Sequence, residues 1–143
     1  MRYWELQHFT AQEFLPQAIF AKYGIAGLEA MDARILWTLD QLRNTFNVPI
    51  TVNNWDAGGE FDQRGYRTDP ALLAQTPLSQ HRFGRACDFQ IASTTPDQFR
   101  KMVADGGLKN ELAFITHIEN ATPDWIHIDC RMSPSQDIIF FNT

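Results

Sequence analysis

Between Gly27 and Phe46 the apolar residues Leu28, Met31, Ile35, Leu39, Leu42 and Phe46 recur at steps of three and four. That period draws a single stripe and predicts one long helix over 27–46 whose apolar face packs into a core. Ahead of it, Thr10-Ala11-Gln12-Glu13 has the form of a capping box and predicts a helix running to about Lys22 and stopping at Gly24. A third helix is predicted at Thr95-Pro96-Asp97-Gln98, with a Thr cap, Pro in the first turn and an acid near the positive end of the dipole. Phe99, Met102 and Val103 form its expected buried face, and Gly106-Gly107 its stop. Strands are predicted over 50–55, 86–91, 112–119 and 125–131, with a last one over 138–141. The loop 56–78, which holds three glycines and two prolines, is long for a compact domain, and such loops are usually functional or disordered. Helices first and a mostly antiparallel sheet afterwards predict an α+β domain.

Alternation sharpens two of those strands. Residues two apart share a face. Asp88 therefore lies with Ala86 and Gln90, while Cys87, Phe89 and Ile91 point the other way. His127 lies with Trp125 and Asp129, while Ile126, Ile128 and Cys130 point away. Each strand has a greasy side for the helices and a polar side that overlooks a cleft. Both cysteines fall on the core side, as buried reduced thiols with no disulfide required.

Composition narrows the function classes. The chain has 143 residues, 44% of them hydrophobic, with four tryptophans, which is enough for one globular domain spanning 1–143. A formal net charge of −5 and the absence of any Lys/Arg run argue against nucleic acid as a partner. No apolar run approaches the ~20 residues of a membrane span. Met1-Arg2-Tyr3-Trp4-Glu5 lacks the basic-then-apolar layout of a signal peptide. Two distant cysteines make neither a disulfide scaffold nor a zinc knuckle.

His81, Asp88 and His127 then stand out as candidate metal ligands. Two imidazole nitrogens and one carboxylate oxygen suit a zinc ion with its fourth position open, the arrangement that separates a catalytic zinc from a structural one. Asp129 either buttresses a ligand or faces solvent.

Ser79-x-His81-x-x-Gly84-x-Ala86-x-Asp88, followed by Trp125-x-His127, resembles the signature of the zinc peptidases that cleave peptidoglycan stem peptides. These include D-alanyl-D-alanine carboxypeptidases, D-alanyl-D-alanine dipeptidases and the L-alanyl-D-glutamate endopeptidases of phage endolysins. The resemblance covers roughly residues 49–131. It implies the fold shared with the Hedgehog signalling domain, a small mostly antiparallel sheet with N-terminal helices on one face and a zinc cleft on the other. It also implies one zinc per chain on His81, Asp88 and His127, with Gly84 and Ala86 keeping the turn between ligands clear of the metal. Ser79 would orient a ligand. Asp124, three residues before the last ligand, would be the general base, with Glu119 as the alternative. Arg67, or Arg64 in its place, would polarise the scissile carbonyl; the loop that carries Tyr66, together with Trp125, would contact substrate. The implied protein is a monomeric peptidase of phage or prophage type, cytoplasmic until a holin releases it, or else carried in the virion. The alternative is a non-catalytic zinc-binding module of the same fold.

Overall fold

Proline and aspartate, more than hydrophobic period, decide where the helices begin. The structure is a computed structural model and describes residues 5–143. Thr10 opens only a short 3-10 turn, Ala11–Glu13, with the Glu13 carboxylate accepting from the Thr10 amide at 2.8 Å. The helix expected to continue from there is interrupted by Pro16, whose extended conformation precedes α1 (Gln17–Tyr23). A proline lacks the N–H that a continuous helix needs, and it holds its predecessor extended. Gly24, at a φ of 60°, ends α1 as expected.

The stripe over 27–46 is likewise split. Gly24–Ala30 is a 3-10 segment, Met31 is extended, and Asp32 caps α2 (Ala33–Phe46) by accepting from the Arg34 amide at 2.9 Å. Leu28, Met31, Ile35, Leu39 and Leu42 are nevertheless all buried in one cluster. The break redirects the chain without moving the stripe off the core.

Among the described residues, five strands form the sheet: β1 (Ile50–Thr51), β2 (Ala86–Ile91), β3 (His117–Glu119), β4 (Ile126–Asp129) and β5 (Ile139–Phe141), in the order β1-β2-β4-β3-β5. All pairings are antiparallel except β3 with β5. The α+β class is therefore the one expected. Four strands are shorter than predicted: 52–55 leaves the sheet, 112–114 is turn and 115–116 irregular, the 125–131 strand keeps only its centre, and Ile138 falls outside the last. The alternation holds where the metal idea needs it. Cys87, Phe89, Ile126 and Ile128 are fully buried with Leu39 and Leu42 of α2 in the core, and both cysteines are buried and unbridged.

The long loop is ordered. It contains α3 (Pro70–Gln75), capped by Asp69, which the breaker-rich sequence concealed. Side-chain amides replace the missing ladder bonds: Asn54 accepts from the Phe61 amide, Asn53 from Arg64, and Gln63 from both Thr68 and Asp69. α4 (Pro96–Ala104) buries Phe99 as expected, but Met102 is exposed and Arg100 is buried instead. Arg100 earns that position through bonds to Asp97 and to the Thr122 hydroxyl and carbonyl. Among the described residues, no helix is long and apolar enough to cross a membrane.

Candidate metal centre

The three candidate ligands reach one point from two kinds of backbone. His81 comes from a 3-10 turn, Gln80–Phe83, closed by Gly84 in the left-handed region at a φ of 68°. A Cβ on Gly84 would lie 1.8 Å from the Ala30 carbonyl oxygen, and the Gly84 carbonyl accepts from the Asp32 amide. Gly84 is thus required where the turn docks on the start of α2, a different reason from the expected clearance of the metal. Asp88 and His127 come from the centre of the sheet, where β2 and β4 pair them directly. Cross-strand partners share a face, so the two side chains meet without any loop to place them.

All three side chains are buried, and their donor atoms lie within 4.8 Å of one another. His81 Nε2 is 3.2 Å from Asp88 Oδ1 and 3.3 Å from His127 Nδ1, and the last two are 2.7 Å apart. Bonds of 2.0–2.1 Å in a tetrahedron would space ligands about 3.3 Å apart. Two of the three separations already match, and the third is a hydrogen bond that a cation would replace. The group can therefore hold a metal ion.

The second atoms of these groups are also occupied. His81 Nδ1 lies 2.9 Å from the Gly65 carbonyl. A carbonyl only accepts, so Nδ1 carries a proton and Nε2 is the nitrogen turned to the centre. Gly65 is forced by packing, since a Cβ there would meet the Phe14 carbonyl oxygen at 2.3 Å. His127 Nε2 lies 3.1 Å from Asp129 Oδ2. Asp129 is fully buried and is bonded by the Arg131 guanidinium through both Nε and Nη2. Of the two sequence expectations for Asp129, the structure places it against a ligand. Partners of this kind fix the orientation and tautomer of metal-binding imidazoles.

These contacts set the charges. Burial works against ionised Asp88, but the His81 charge and the hydrogen bond from His127 hold its carboxyl well below the usual range. Asp129, similarly opposed by burial, is brought down to about 2 by its bonds from Arg131 and His127. For His127, burial disfavours the cation, yet the bonds to Asp129 and Asp88 outweigh it and raise the imidazole to about 9.

Above the three ligands lies a cleft of about 370 Å³, whose wall includes Arg67, Ser79, Glu119, Trp125, Arg131 and Phe141. Arg67 Nη2 is 3.3 Å from Asp88 Oδ2, and its Nε donates to the Gln63 carbonyl at 3.2 Å. Arg64 stands apart, 3.4 Å over the Phe61 ring and bonded to Gln90. Tyr66 packs half-buried against the core, its amide on the Phe14 carbonyl. Ser79 makes no side-chain capping bond. Asp124 is exposed and lies on a separate depression with Gln90 and Pro123, its carbonyl accepting from Gln90. Glu119, by contrast, lines the cleft and accepts from the Thr143 hydroxyl at 2.9 Å. Carrying the β3–β4 register (His117 opposite Asp129, Ile118 opposite Ile128) one step further sets Glu119 opposite His127.

Three contributors escaped the sequence reading. Gln63 organises the loop and holds Arg67; Phe141 on β5 lies 5.8 Å from the His127 ring; and Arg131 clamps Asp129 while stacking on Phe141 at 4.7 Å. Only Arg131 left a signal, standing two residues beyond Asp129 and therefore on the same strand face. A larger depression of about 620 Å³ lies elsewhere, along Gly106, Leu112, Ile138 and Phe140, and among the described residues no His, Cys or Glu lines it. No protein-family profile, curated protein or solved structure matches this chain.

Proposed function

We propose that this protein is a zinc-dependent peptidase that hydrolyses peptide bonds in peptidoglycan stem peptides. The observation that carries the reading is the convergence of His81 Nε2, Asp88 Oδ1 and His127 Nδ1 at the floor of a cleft that also holds Glu119 and Arg67. Two nitrogens and one oxygen form a donor set typical of zinc with an open position. Bound there, zinc would act as a Lewis acid on a carbonyl and lower the pKa of a water to about 7.

The protein's own residues supply the remaining chemistry. Glu119 takes the proton of the attacking water as its oxygen adds to the scissile carbonyl carbon. Arg67, anchored by Asp88 and Gln63, directs guanidinium N–H groups at the oxygen where negative charge develops. When the C–N bond breaks, Glu119 returns the proton to the leaving amine, so the base ends in its starting state. Glu119 is preferred to Asp124 because it shares the cleft, whereas Asp124 opens onto another surface. Trp125 and Ser79 line the path along which the peptide lies. The peptidoglycan assignment rests on the resemblance of the 79–88 and 125–127 motifs.

Elemental analysis combined with digestion of purified sacculi, fragments read by mass spectrometry, tests this reading. One zinc per chain and digestion that stops on chelation and resumes with zinc are expected. Chelator-insensitive digestion would sink the mechanism. Stoichiometric zinc without any hydrolysis would instead identify a non-catalytic module.

A further inference from the structure

The cleft over the centre has a neighbour. A second cavity of about 380 Å³, lined by Glu60, Asp62, Arg64, Asp69 and Leu72 among others, shares Arg67, Asp88 and Trp125 with the first. The shared residues are the candidate ligand Asp88, Arg67, which is bonded to it, and Trp125. The two cavities therefore adjoin at Asp88, one arm bordered by Phe141 and the other by the loop 60–72. Each arm alone falls in the range of roughly 300–1,000 Å³ usual for small-ligand sites.

Recognition of a peptide's terminal carboxylate beside the cut bond needs a closed end with an uncompensated cation. Among the described residues, neither arm is lined by one. In the first, Arg131 spends Nε and Nη2 on Asp129. In the loop arm, Arg64 is outnumbered by the Glu60, Asp62 and Asp69 carboxylates, which would repel a terminal carboxylate. Arg67 belongs to both arms and is tied to Asp88, so it closes neither. We propose that the substrate lies across both arms, so that the bond cut is internal to the peptide and neither terminus is read at the centre. This rests on the peptidase reading and decides endopeptidase over carboxypeptidase.

The test compares two soluble stem pentapeptides with the zinc-loaded protein: one with both termini free, the other N-acetylated and C-amidated. Internal cleavage of both, with rates within about threefold, is expected, since no terminal charge contributes to transition-state binding. Release of only the C-terminal residue, with a loss of roughly 10–100-fold or more on blocking, would overturn this inference and leave the peptidase reading standing. Failure to cut either peptide would overturn the peptidase reading and this inference together.

Discussion

The turn that carries His81 and the strands that carry Asp88 and His127 solve the same problem by different means. On the turn side the ligand is fixed by main chain: the Gly65 carbonyl holds Nδ1, and Gly84 lets the turn press against Ala30. On the strand side it is fixed by charge: His127 lies between Asp88 and Asp129, and Arg131 holds Asp129 from behind. A carbonyl fixes which nitrogen carries a proton and adds no net charge of its own. A carboxylate sets a tautomer and also favours the charged ring, which a cation must first discharge. The two halves should therefore fail differently when perturbed.

The largest expected effect removes a ligand from either half. His81→Ala and Asp88→Ala should each lose stoichiometric zinc, read by elemental analysis of protein purified without chelators. Zinc retained in both variants would show that the two halves do not share an ion. Next in size is the base. Glu119→Gln should keep zinc and lose roughly 10²–10⁴ in hydrolysis rate, the usual worth of a placed general base. Asp124→Asn should change the rate by less than about threefold, because its carboxylate faces another surface. The reverse ranking would return the role to Asp124.

Those two carboxylates show where sequence suffices. The core and cleft faces of β2 and β4 were legible because a period of two is a local property; the pairing of Asp88 with His127 comes from the β2–β4 register, which local pattern does not set. The His-Asp-His trio was legible by residue type. The base was not. Glu119 reaches the cleft only through the β3–β4 register, and Asp124 leaves it through the turn at Pro123; neither depends on local pattern. The capping box at 10–13 predicts a helix to 22 that Pro16 interrupts, and within the stripe over 27–46 the cap at Asp32 starts the helix late, because a local breaker overrides both period and cap signal. Gln63 and α3 lay inside a loop whose order comes from side-chain amides bonding distant backbone, which no periodicity announces.

A smaller effect probes the strand half alone. Asp129→Asn keeps the size of the side chain but loses the charge that holds His127 Nε2–H and receives Arg131. Outer partners of metal-bound histidines are worth about 10–100-fold in affinity, and a loss of that size is expected in zinc competition with a chromogenic chelator. Unchanged affinity would mean that β4 packing alone orients the imidazole. No side-chain substitution does the same on the turn side, where the partner is a carbonyl.

The gentlest perturbation is pH, and it separates the halves without mutation. Burial opposes the His127 charge, but Asp129 and Asp88 raise the metal-free imidazole to about 9, above an ordinary value of about 6.5. Zinc needs Nδ1 bare, so binding below about pH 9 expels the proton from His127. Apparent affinity should rise about tenfold per pH unit up to roughly 9 and then level off. Calorimetry in buffers of different ionisation enthalpy should count that proton near pH 8. Stability of the chelated protein should move in the opposite sense. A raised folded-state pKa contributes fully below about 6.5 and is lost as pH climbs through about 9. Melting temperatures of the chelated and zinc-loaded forms should therefore separate as pH rises from 6.5 to 9. If the gap stays constant, His127 binds zinc without giving up a proton, and the two carboxylates beside it do not charge the ring.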